Sequence, residues 1–271
     1  MAIPNSQLDV RVFQPSDELI PHISSFFLIR NKEVSADIVP PLGYPVIMFH
    51  LRNKVEEFYN YYDFQPTDVM IVGQLTHFSR VSQVPDSEFI GVNLRPSALA
   101  RLTTIPIHEF TDTAMPAVEV LGNSMYDLLL NLRKTPTVSD KIELLNAGFL
   151  HLFEGQDTDR FDDLVELIVE SKGALSNEEI HALYPASERT LQRLFKMKVG
   201  VSLKMYQRII RNLSFFRLVQ EFPDECASSL MLQLGYYDFS HFAKDFKLLS
   251  GLTPKQYFAG KEEFAHLLVQ L

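Results

Sequence analysis

Arg189, Gln192, Arg193 and Lys196 stand at i, i+3, i+4 and i+7, the spacing of one face of an α-helix. Arg pairs bidentately with guanine, Gln with adenine, and Lys with guanine or phosphate, so this face carries the hydrogen-bonding groups that a DNA major groove accepts. A second face of the same kind, Ser240, Ala243, Lys244 and Lys247, lies 51 residues further on. One such face by itself is also what an ordinary solvated helix presents. Two in register favour the functional reading.

The segments that position these residues repeat. SERTLQRLFK at Ser187 to Lys196 aligns with DFSHFAKDFK at Asp238 to Lys247. At that offset Phe195 falls on Phe246, Gly200 on Gly251, Lys204 on Lys255 and Tyr206 on Tyr257. A register kept this long marks two copies of one supersecondary unit. Ser187 and Asp238 are N-cap residues for the two helices. Leu191, Leu194 and Phe195 form the inward stripe of the first, and Phe242 and Phe246 that of the second. A shorter helix precedes each. One starts at the capping box Ser176 to Glu179 and stops at Pro185; the other runs from Ala227 to Leu234 and ends at Gly235. Helix, tight turn, capped basic helix is the helix-turn-helix plan. Ser202 to Phe222, free of Gly and Pro, predicts a long helix between the units; about twenty residues span about 30 Å, close to one turn of B-DNA.

Residues from about 160 to 260 resemble the DNA-binding domain of AraC-family transcriptional regulators. The resemblance rests on Ser187, Arg189, Leu191, Arg193 and Phe195, then Gly200, Ser202 and Tyr206, the run Gly235 to Phe242, and Phe246, Lys247, Gly251, Thr253, Pro254 and Tyr257. It implies base contacts by Arg189, Gln192 and Arg193 in the first unit and by Ser240, His241 and Lys244 in the second. Lys196 and Lys247 complete the expected DNA-binding set. It also implies double-stranded DNA and RNA polymerase as partners. The chain departs from the family pattern at Pro185, where the first turn usually holds Gly, and at His181 and Met231, where a small Ala is usual.

At 271 residues and 46% hydrophobic content the chain has room for two domains, each with a core. The net charge of −9 conceals an asymmetry: Ala174 to Gly260 holds eleven Lys and Arg against eight Asp and Glu, a charge of +3, leaving −12 elsewhere. Binding through a few placed cations should weaken as salt rises. No apolar run approaches 18 residues and the N-terminus lacks a basic, then apolar, leader, so a cytoplasmic protein without membrane contact is expected. The single cysteine, Cys226, is expected to be a packed small residue.

The expected fold class is α+β, with domains at 1–155 and 156–271 meeting in the polar run Glu154 to Asp159. Short apolar runs at Ile23 to Arg30, Val46 to Leu51, Val69 to Gly73, Phe78 to Gln83 and Glu88 to Leu94 predict strands. VPPLGYPVIMFHL at 39–51 and IGVNLRPSALARL at 90–102 resemble the cupin-like β-barrel that senses ligands ahead of many AraC-type helices. Helices are predicted at Ser97 to Leu102, Val118 to Arg133 and Ser139 to Phe153; the resemblance gives the last two either a homodimer contact or the task of capping the barrel.

Phe49, Phe58, Tyr59, Tyr61, Tyr62 and Phe64 cluster within sixteen residues. They read either as core packing or as the lining of a pocket for a small-molecule effector, with Phe49, Phe58, Tyr61 and Arg95 the candidate ligand residues. Arg95 could also serve in an ion pair. His50 and His77 stand apart, with no metal-ligand spacing, and the motifs of nucleotide-binding and hydrolytic sites are missing. No cofactor, metal or catalysis is expected. Three functions remain: a sequence-specific DNA-binding regulator, a ligand- or partner-binding protein with weakened DNA affinity, and a cupin-like enzyme with an appended DNA-binding module.

Overall fold

The computed structural model describes residues 8–33, 35–53, 57–59 and 67–260. Its β-rich half contains β1 (Leu8–Phe13), β2 (Ile23–Asn31), β3 (Ser35–Val39), β4 (Val46–Arg52), β5 (Glu57–Tyr59), β6 (Val69–Val72), β7 (Ser79–Gln83), β8 (Ser87–Leu94) and β9 (Ala114–Pro116). The expected barrel is absent. Six strands form an open antiparallel sheet in the order β1-β2-β8-β4-β6-β9, and β3-β7-β5 form a separate sheet.

The burial pattern explains why the large sheet need not close. Phe26, Leu28, Ile47, Phe49, Ile71, Ile90 and Val92 point to one face and share a core with Met125, Leu129, Leu132, Leu145 and Phe149 from a helical layer. The intervening Phe27, Ile29, Val46, Met48, Met70, Val72 and Phe89 gather on the other face. With helices covering one face, apolar surface is removed from water without curling the sheet onto itself. Both faces are therefore apolar, which is why these strands read as unbroken apolar runs instead of alternating ones.

The helical layer comprises α1 (Leu99–Leu102), α2 (Ala117–Leu121), α3 (Ser124–Lys134) and α4 (Val138–Leu152). The single helix expected at 118–133 is divided at Gly122, whose φ of 88° is left-handed. The start of α4 is fixed by Thr137, whose hydroxyl accepts from the Asp140 amide, two residues ahead of the expected Ser139.

The all-α half contains α5 (Arg160–Glu170), α6 (Asn177–Leu183), α7 (Glu188–Lys198), α8 (Leu203–Glu221), α9 (Ala227–Gln233), α10 (Phe239–Ser250) and α11 (Pro254–Phe258). The expected caps form. Ser176 and Glu179 make a reciprocal capping box, Ser187 accepts from the Thr190 amide, and Asp238 accepts from the His241 amide. Cys226, contrary to expectation, is exposed at the N-cap of α9. The polar run 154–159 serves as a helix start, because Asp159 caps α5 in a box with Asp162.

Ile38 of β3 lies in the same buried cluster as Phe195, Ile210, Leu213 and Phe246 of the helical half, and Leu42 and Phe78 pack against that cluster. The β-rich half thus contributes to the core of the other.

Candidate nucleic-acid interface

Two helices carry the residues that the sequence singled out. On α7, Leu191 and Phe195 are buried while Arg189, Gln192, Arg193 and Lys196 are exposed. On α10, Phe242, Asp245 and Phe246 are buried while Ser240, His241, Lys244 and Lys247 are exposed. Each set lies on one helix, opposite its packed stripe, and the docked β-rich half leaves both uncovered. Gln192 donates from Nε2 to Glu188 Oε1 at 3.1 Å, one turn back.

The long α8 holds both reading helices. Phe195 of α7 meets Tyr206 at 6.0 Å between ring centroids. Phe215 meets Phe242 at 4.7 Å and Phe246 at 5.5 Å, and Phe216 meets Phe246 at 5.3 Å. Arg208 of α8 donates from Nη2 and Nε to Oδ1 of buried Asp245 at 2.6 and 3.0 Å. Burial, together with the Asp245 carboxylate, pushes the neighbouring Tyr236 phenol well above its usual range. Packing and one buried ion pair therefore fix α10 on α8. Sequence reasoning passed over Asp245 and Arg208; their signal was an acid in the middle of a basic reading helix, facing the packed side. With 19 residues, α8 is about 28 Å long.

The two turns differ. Between α9 and α10, Gly235 takes a left-handed φ of 75°, whereas Tyr184 closes α6 at φ −130° and no left-handed residue lies between it and Ser187. Pro185 agrees with that geometry, since Pro cannot adopt positive φ. Of the other two departures, Met231 is buried and His181 is exposed.

Of the candidate effector residues, Phe49 and Arg95 are described with their side chains. Phe49 is fully buried in the sheet-and-helix core, as the packing reading has it. Phe58 falls in β5, its side chain outside what is described, and Tyr61 lies outside the described residues. Arg95 is half-buried and donates from Nη1 to Glu166 Oε2 of α5 at 2.9 Å. It lines a cavity of about 170 Å³ between the two halves, with Leu42 and Tyr44 on one side and Glu166, Ile210 and Arg217 on the other. Burial raises the Glu166 carboxyl above its usual range despite the Arg95 guanidinium. Nearby, Arg101 donates to Asp162 at 2.8 Å, and the Thr111 hydroxyl donates to the Gly200 carbonyl at 2.7 Å. Asp159 joins α5 to α7 through Lys198; burial opposes its ionisation, but the Lys198 ammonium and the Phe161 and Asp162 amides hold its carboxyl below the usual range.

Among the described residues, no cluster of His, Cys, Asp and Glu could hold a metal ion, and no helix is long and apolar enough to cross a membrane. His50 is buried, with Nδ1 2.8 Å from the Thr67 carbonyl.

Two domain families match the sequence. Residues 183–260 match a family described as a helix-turn-helix domain, and residues 11–116 match one described as a domain of unknown function (DUF6597). No curated protein matches. Solved structures of similar fold include ToxT from Vibrio cholerae, 11% identical over 94% of this chain and 98% of that one, with a TM-score of 0.49. ToxT with a bound unsaturated fatty acid is 14% identical, with 95% and 96% coverage and a TM-score of 0.46. The AraC-like transcriptional activator CuxR is 12% identical over 84% and 91%, with a TM-score of 0.30. The helix-turn-helix match spans both reading helices, α7 and α10, and every signature residue from Ser187 to Tyr257. On that match, residues 183–260 form a helix-turn-helix domain.

Proposed function

We propose that the chain is a sequence-specific DNA-binding transcription regulator of the AraC type that reads two adjacent major-groove segments, one with α7 and one with α10, held about one helical turn of DNA apart by α8. Arg189, Gln192 and Arg193 address base edges in the first segment, and Ser240, His241 and Lys244 in the second. Lys196 and Lys247 meet phosphates. The domain assignment is 1–155 for control and 156–271 for reading. The observation that carries this reading is the exposure of both polar sets on capped helices whose opposite faces are packed. Selection from a random duplex pool by the full-length protein should enrich a site with two specified blocks about ten base pairs apart, centre to centre. Enrichment of a single block, or of none, contradicts it.

An effector would act at the cavity between the halves, where a molecule that prefers one arrangement of the halves changes how the reading helices are held. Arg95, Arg217 and Glu166 supply the polar contacts, and Leu42 and Ile210 the apolar wall. The volume is below that of drug-sized sites, so the molecule is small or narrow. Val169→Phe places a ring in this cavity while leaving both reading faces untouched. Operator affinity should change; unchanged affinity would detach the cavity from control. A homodimer and contact with RNA polymerase complete the proposal.

A further inference from the structure

The two reading helices differ in chemistry where their first turns meet a partner. At the first position of α7 stands Glu188, and at the equivalent position of α10 stands Phe239, 47% exposed. Ala186 precedes the cap of α7, whereas Tyr237, 96% exposed, precedes the cap of α10. Gln192 of α7 is matched by Ala243. The α10 surface therefore replaces two hydrogen-bonding side chains with apolar ones and adds an uncovered aromatic ring.

Little inside the protein accounts for this. Phe239 meets the Phe242 ring at 5.7 Å between centroids, and about half of its surface faces solvent. Two large aromatic side chains flanking a helix cap form a local apolar patch, and such patches mark contact surfaces. This one is continuous with Ser240 and Lys244 on the reading face, and the cations beside it match a polyanion. In a major groove the apolar feature on offer is the C5-methyl of thymine, which Phe and Ala side chains contact.

We infer that α10 is a thymine-methyl reader: Phe239, with Ala243 beside it, packs on thymine C5-methyl groups, while α7 reads guanine and adenine edges by hydrogen bonding. This rests on the proposed reading by both helices and adds a base preference to the second segment.

The test uses the full-length protein and the duplex that it selects from a random pool, with each thymine replaced in turn by deoxyuridine, which removes the methyl alone. Burying one methyl is worth about fourfold in affinity, so at least one thymine in one block should lose about that factor. Phe239→Ser should bind the thymine and deoxyuridine duplexes alike at that position, and Phe239→Leu should keep the difference. Being exposed, Phe239 can be replaced without disturbing the core. If no thymine shows methyl dependence, or if the dependence survives in Phe239→Ser, the inference falls while two-segment reading stands. If no duplex is enriched at all, the reading falls and takes the inference with it.

Discussion

In the proposed reading single residues decide specificity, and their roles separate by what each would touch. Arg193 is exposed in mid-helix on α7, where the proposed reading places its guanidinium at a base edge, while Lys196 lies one turn further towards the helix end. Arg193→Ala should cost about 1 to 3 kcal/mol at the selected site and relax the preference at one base position. Lys196→Ala should weaken selected and random duplexes alike and reduce the salt slope by about one. Binding titrations at several salt concentrations measure both effects; an equal loss on all sequences for Arg193→Ala would remove that side chain from base contact. These polar residues were legible because their spacing and caps are local. Phe239 was not singled out, since an apolar residue near a packed stripe reads as core until its exposure is seen. Arg95 gave only its class, a cation at a strand end; its partner Glu166 lies 71 residues away in sequence.

Among the elements, α8 has the most structural responsibility. It gives Tyr206 to the first unit and Phe215, Phe216 and Arg208 to the second. Asp245→Ala would leave the Arg208 guanidinium without its buried carboxylate and should destabilise the fold by about 3 to 5 kcal/mol. Loss of DNA affinity should exceed that of any exposed α10 variant, because the whole helix loses its seat. Urea unfolding monitored by circular dichroism checks the first statement, and an unchanged midpoint would show that aromatic packing alone holds α10. Five of the seven helices of this half were readable in order and to within a few residues, since caps and Gly or Pro breaks are local signals; α5 and α11 were missed. The sheets were not. Five strands were visible as apolar runs, but β1, β3, β5 and β9 were missed. Whether the strands close depends on what covers their faces, and that cover comes from α3 and α4, distant in sequence.

At the scale of the whole molecule, the β-rich half touches the reading half at several separated points. Gly43 approaches the middle of α8 so closely that a Cβ there would come within 2.8 Å of Ile210 Cδ1. Gly251, after α10, sits under the Phe78 ring, where a Cβ would come within 2.7 Å. Thr111 holds the carbonyl of Gly200, at the junction of α7 and α8. The β-rich half therefore braces both units and the helix between them, and a change in how it is seated can alter the two together.

The buried position of Ile38 among the residues of the reading half has a practical corollary. A fragment trimmed to start at residue 156 would lack this plug, together with Leu42 and Phe78, and would carry a bare greasy socket along its spine. Such a piece would tend to clump, so the two halves of this chain are better regarded as partners in one fold than as interchangeable modules.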